Sequence, residues 1–242
     1  MENLLTTRQY KLDKGQAVGV ITAGITLSPA NEASSVLDRE LPTTCAWAGT
    51  CALVCLKFTG MNQYPTHAMA RARRTALWYD DRPAFLTQAV AEFQRVERKA
   101  TRGNMLAAGR PNLLSDLPVM ARAIARQVPA MQFYDYTKLP KPWLRTMANY
   151  HLTYSVSERS TAADIRGAFT HGINCAVVVD VAKGQPIPAT HTEFGVTRPT
   201  IDGDINDLRF QDPTGVYVVL RWKGSRARLA EANTGQFTRE TS

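Results

Sequence analysis

Hydrophobic positions along this chain change their period from segment to segment. Over Tyr150–Val156 they alternate strictly. Tyr150, Leu152, Tyr154 and Val156 share one face, and His151, Thr153, Ser155 and Ser157 share the other. Period two predicts a strand with one apolar and one polar side. Phe85, Ala89 and Phe93 recur every fourth residue, which predicts a helix over about 82–102 with one buried stripe. Its start is marked by acids and an early proline at 80–83. Further helices are expected at 66–79, 117–128 and 161–170. The last carries a capping box, Thr161 with Asp164, and stops at His171-Gly172. Strands are expected at 17–27, 105–114, 131–137, 175–181 and 216–222. Residues 10–15 read as a hairpin turn with Gly15 in the left-handed position. Residues 28–44, 45–65, 139–142 and 182–214 read as loops.

The passage from 150 to 181 runs strand, capped helix, glycine, apolar strand. That order is a βαβ unit, which demands parallel strands joined by a crossover. Extended along the chain, it predicts an α/β fold. The expected form is a βα-repeat with mostly parallel strands in an open or incomplete barrel. It is read as a single domain, 1–242, with N-terminal strands in 1–30, a cysteine loop at 43–60 and a loose tail at 225–242. In such folds sites gather at the carboxyl ends of strands. Polar residues follow several predicted strands, and these form the candidate rim. Asp116, Asp135, Lys138, His151 and Glu158 are candidates for proton transfer, and Asn112 and Ser115 for substrate contact. The same residue types also cap helices and make turns.

Composition narrows the class. An apolar share of 44% excludes a disordered chain. No apolar run reaches the roughly 18–20 residues that span a bilayer, and the N-terminus lacks an apolar signal core. Four cysteines in 242 residues are no disulfide scaffold, so a reducing cytosol is expected. The net charge is +8, and residues 66–110 hold nine Lys/Arg against four Asp/Glu. Arg71 and Arg74 lie there and are candidate phosphate contacts, so a nucleotide or nucleic acid is an expected partner. Arg221, Lys223, Arg226 and Arg228 form a second basic stretch. The acids at 202, 204 and 207 read as turn chemistry before a cation site. No G-x-G-x-x-G, P-loop, H-E-x-x-H or G-x-S-x-G motif is present.

Cys45, Cys51 and Cys55 lie within eleven residues, spaced C-x5-C-x3-C. Three close thiols point to a soft metal, either an iron–sulfur cluster or zinc. His67 is the nearest candidate for a fourth zinc ligand. Cys175 is expected to face the helix layer instead. With three thiols, a four-iron cluster keeps one iron open. The spacing differs from paired C-x2-C. It also differs from the C-x3-C-x2-C of radical S-adenosylmethionine enzymes. The loop nonetheless follows a first strand and precedes a first long helix, a placement similar to theirs, which implies S-adenosylmethionine as a possible cofactor.

Five stretches together resemble a known family. They are TTCAWAGTCALVCLKFTG (43–60), ARARRT (70–75), FYDYTK (133–138), NYHLTYSVSE (149–158) and IDGDINDLRFQDP (201–213). The chain resembles bacteriophage-encoded proteins of the gene product eighty-eight type, over nearly its whole length. The resemblance implies expression in a host cytoplasm and carries no established reaction. The family pattern R-L-N-x-x-S-D-I-x-W-E appears here as RPNLLSDLPVM (110–120), without the Trp-Glu pair. Three functions follow as expectations. One is a metal- or iron–sulfur-dependent enzyme acting on a nucleotide or nucleic acid. Another is a zinc-stapled basic protein that binds a host protein or nucleic acid, with a structural or virion component as a third.

Overall fold

The computed structural model describes residues 2–6, 15–182, 184–233 and 237–239. The hairpin turn expected at 10–15 lies mostly outside them.

Among the described residues, one sheet of nine strands has the order β1-β2-β3-β4-β5-β6-β9-β8-β7. The strands are β1 (Leu5–Thr6), β2 (Val20–Ile25), β3 (Leu106–Arg110), β4 (Gln132–Thr137), β5 (Tyr150–Ser155), β6 (Cys175–Val179), β7 (Thr190–Glu193), β8 (Val196–Asp202) and β9 (Tyr217–Arg221). From β2 to β6 the strands stand side by side in chain order, every pair parallel. β9 continues the parallel run beside β6, and β8 lies beyond it. β1 pairs antiparallel with β2 and closes the N-terminal edge. The sheet therefore has the sequential order of a barrel that does not close.

Helices return the chain from one parallel strand to the next. α1 (Glu32–Leu37), α2 (Pro65–Asp80) and α3 (Arg82–Arg102) connect β2 to β3. α4 (Pro118–Gln127) connects β3 to β4, and α5 (Ala162–Thr170) connects β5 to β6. The link from β4 to β5 has only a short 3-10 turn, Pro142–Leu144. Asp81 caps α3 by accepting from the Ala84 amide at 3.0 Å. The capping box of α5 is present in both directions.

The alternation in β5 sorts the two faces as predicted. Tyr150 and Leu152 pack outward with Ala23, Ile25 and Phe133 against Phe85, Ala89 and Phe93 of α3 and Met120 and Ile124 of α4. A second cluster joins Tyr154 and Cys175 to Ile165 and Ala168 of α5. Gly109 leaves room for the rings above it, because a Cβ there would stand 2.5 Å from the Phe133 ring of β4 and 3.0 Å from the Phe93 ring of α3. The inner face carries Val20, Ala108 and Tyr134, packed by Leu208 and Phe210. Residues 203–212 thus cross the concave side and fill it. Arg110 reaches them, buried, to pair with Asp207 and to lie over the Tyr136 ring.

The stretch read as a loop at 182–214 holds the β7–β8 hairpin, and the one at 28–44 holds α1. Polar strands at an edge give no apolar run to detect. The segment read as a loose tail contains α6 (Arg226–Asn233). No helix among the described residues is long and apolar enough to cross a membrane.

Candidate functional site

The cysteine loop runs from the end of β2 toward α2 in two tight 3-10 turns, Gly49–Ala52 and Leu56–Phe58. It is held from several other parts of the chain. Thr44, next to Cys45, donates its hydroxyl to the Ser28 carbonyl. The Cys45 thiol points to the Leu114 carbonyl at 3.7 Å, and the Asp116 amide donates to the Thr44 carbonyl at 3.0 Å. Glu158 clamps the loop from the end of β5. Its Oε1 accepts from the Thr50 amide at 2.9 Å, and its Oε2 accepts from the Thr50 hydroxyl at 2.8 Å. Gly49 makes room for this, because a Cβ there would sit 1.7 Å from Oε1. Arg228 of α6 donates to the Leu53 carbonyl at 3.0 Å and covers the Phe58 ring.

This folding turns Cys45, Cys51 and Cys55 onto a single cavity of about 150 Å³. One water needs only about 10–15 Å³. The opposite wall comes from the carboxyl ends of β3, β4 and β5: Asn112, Ser115, Asp116, Lys138 and Ser155, with Arg110 and Tyr136. The cavity therefore occupies the rim where α/β folds place their ligands.

Burial governs its electrostatics. It pushes the Cys55 thiol up to about 12, and the neighbouring Cys51 and Cys45 add to that. Burial likewise raises Cys45, opposed by backbone and Thr44 hydrogen bonds. Burial thus favours the protonated thiol at both positions. Asp116 is also raised by burial, against the Lys138 amide that donates to its Oδ2 at 2.8 Å. Its Oδ1 is buried with no hydrogen-bond partner. The Lys138 ammonium donates to the Ser155 hydroxyl at 2.7 Å.

Other predicted residues lie elsewhere. Asp135 points to the helix side of the sheet, fully buried, and does not line the cavity. Its Oδ1 accepts from the Asn112 amide at 2.8 Å, and its Oδ2 accepts from Asn112 Nδ2 at 2.8 Å and the Tyr150 hydroxyl at 3.1 Å. Asn112 Oδ1 in turn accepts from the Ser115 hydroxyl at 2.8 Å. Asp135 thus fixes which way the Asn112 amide faces. Burial lifts its pKa to about 7 despite those bonds. His151 is on the inner face near Arg209, outside the cavity wall, and burial lowers it to about 4. Glu158 holds the loop from outside. Burial raises its pKa, but the Thr50 hydrogen bonds outweigh that and leave it lowered.

His67 is exposed in the first turn of α2, with its ring 6.5 Å from Tyr64. Arg71 is buried in a two-pronged pair with Glu32 of α1. Arg74 binds Glu2 and the Asn3 carbonyl. None of these three lines the cavity. Cys175 is buried in β6 under the helix layer, as its strand parity predicted. Among the described residues, the acids at 202, 204 and 207 are consumed by Arg221, Lys223 and Arg110. Arg110, Tyr136 and Ser155 were missed as wall residues. Their parity on β3, β4 and β5 carries that signal once the inner face is known.

A sequential parallel sheet with a ligand-sized cavity at its carboxyl rim defines the class: an open α/β protein with a polar rim site. The chain belongs to the gene product 88 family, which it matches over residues 3–239. No curated protein and no solved structure matches it.

Proposed function

We propose that the protein is an iron–sulfur-dependent enzyme whose substrate, a nucleotide or nucleic acid, enters the rim cavity. The observation that carries this reading is the convergence of three thiols from one loop onto one cavity, facing a wall of polar groups. A structural zinc site is closed by four ligands, with Zn–S near about 2.3 Å. Here His67 and Cys175 both lie away from the cavity. Among the described residues, no three Cys, His, Asp or Glu side chains converge tightly enough for a single ion. Three thiols spread around a larger space suit a cluster, which Cys45, Cys51 and Cys55 would hold.

A bound cluster would supply an iron site open to substrate or to S-adenosylmethionine. The chain's own residues do the rest. Lys138 offers a cation to an anionic group. Asn112 and Ser115, locked by Asp135, offer fixed hydrogen-bonding groups. Asp116 Oδ1 is a buried acceptor at the wall with no other partner, suited to taking a proton.

Anaerobic purification with metal analysis and a visible spectrum tests the proposal. Brown protein with about four irons per chain supports it. Ala at Cys45, Cys51 or Cys55 then removes the colour, whereas Cys175→Ala keeps it. Colourless protein with one zinc would replace it by the stapled binding protein. Retention of colour in all three loop variants would overturn the ligand assignment.

A further inference from the structure

A second, smaller cavity of about 130 Å³ lies along one side of α4. It is lined by Pro118, Val119, Arg122, Arg126 and Arg145. Three of these five residues are arginines, and none is acidic. Among the described residues, none of the three makes an ion pair. The Arg122 Nε is buried with no hydrogen-bond partner. Arg126 makes no side-chain hydrogen bond to a described residue. Arg145 spends one nitrogen on the Pro140 and Lys141 carbonyls, at 2.7 and 3.0 Å, and keeps the rest of its fork.

This arrangement leaves three like charges together with no acid among the cavity's lining residues. Arg122 and Arg126 are four apart on one helix, where like charges repel. The 3-10 turn between β4 and β5 adds a third cation to the same spot. The arginines that reach into the fold have carboxylate partners: Arg71 with Glu32, Arg110 with Asp207, Arg209 with Asp212 and Arg221 with Asp202. Arg122 and Arg145 are half-buried and Arg126 is exposed, and none of them has one among the described residues. Guanidinium forks match phosphate oxygens two at a time.

We propose that Arg122, Arg126 and Arg145 form a phosphate-binding site. Its place suggests its purpose. Pro118 follows Asp116 by two residues, so the two cavities share the β3–α4 connection. Arg145 is also near enough to Asp116 to favour its ionised form. The trio therefore holds a phosphate while the rest of the ligand extends toward the thiol cavity. That last role rests on the enzyme reading above, but the anion site does not. Sequence patterning hides the site, because Arg145 joins the other two only after β4 and β5 pair.

The test is calorimetric binding of inorganic phosphate, adenosine monophosphate and a short oligothymidylate to the full chain. Wild type should bind phosphate at concentrations of ordinary phosphate buffers, with sulfate competing. The Arg126→Gln/Arg145→Gln double variant should bind at least about tenfold more weakly, and its circular dichroism in phosphate-free buffer should match wild type. An Arg95→Gln/Arg98→Gln control on the exposed end of α3 should bind as wild type does. If the double variant does not fold, Arg126→Gln alone, at an exposed position, carries the comparison. A polymer ligand would appear as oligothymidylate binding whose salt slope falls by ~0.7 per lost contact. A free nucleotide would appear as monophosphate binding without oligomer binding. Absence of phosphate binding to wild type, or equal binding by the variants, would overturn the site. Iron content of the same variants reports separately on the thiol cavity, and the cysteine variants should keep phosphate binding.

Discussion

Two carboxylates illustrate how position assigns a role that residue type does not. Glu158 lies just past β5 and Asp135 lies within β4, yet neither enters the cavity. Glu158→Ala removes two hydrogen bonds to Thr50, worth about 1 kcal/mol each. It should leave the sheet folded and, on the cluster proposal, lower iron retention after reconstitution, measured by metal analysis. Asp135 makes a pH prediction. Its folded pKa of about 7 lies above the unfolded value near 3.9. The folded state therefore holds an extra proton between those values, and this contribution to stability fades as pH rises from about 4 through 7. His151 has the opposite sign, since its depressed value of about 4 favours the neutral folded form as pH rises. The two overlap, so each needs its own variant. Thermal melts of Asp135→Asn against wild type from pH 4 to 8 should show a stability difference that shifts in favour of the variant as pH rises. A difference independent of pH would contradict the buried, raised carboxyl.

At the scale of elements, the strongly patterned segments were legible and the weakly patterned ones were not. The stripe Phe85, Ala89, Phe93 set α3 at the expected bounds, because burial and period agree. The capping box set the start of α5, and Thr161→Ala should cost about 0.5–2 kcal/mol by denaturant titration. The β7–β8 hairpin shows why the rest was hidden. Its turn uses Phe194 and Gly195, both at positive φ. Asn-Gly or Asp-Gly usually marks such a turn, and Phe does not. Its strands expose threonines and arginine, and Pro199 interrupts the strand composition. α1 is six residues long, too short for a periodic signal, and its Glu32 declares itself only by pairing with Arg71. The cysteine spacing pointed to the site's first wall. The second wall could be read only in part, since Lys138 and Asp116 sit just past strands, whereas Arg110 and Tyr136 depend on which face turns inward.

In the whole molecule, the concave face is closed by chain that arrives late. Residues 203–212 lie across strands laid down a hundred residues earlier, and the Arg110–Asp207 pair anchors them. Both partners are buried, so removing one strands the other's charge. Asp207→Ala should cost about 3–5 kcal/mol, read from urea midpoints, whereas exposed pairs such as Arg39–Asp80 should cost under about 1 kcal/mol. Near-equal costs would mean that the inner face stays wet.

The Glu158 clamp has a bearing on how the protein is made. Synthesis runs from the N-terminus, so Cys45, Cys51 and Cys55 leave the ribosome about a hundred residues before Glu158 exists. Until β5 is threaded beside β4, the loop lacks its clamp and one wall of its cavity, and its thiols are open to oxidation or to stray metal. A cell producing this chain has a window, seconds long at about 5–20 residues per second, in which the loop must be kept reduced.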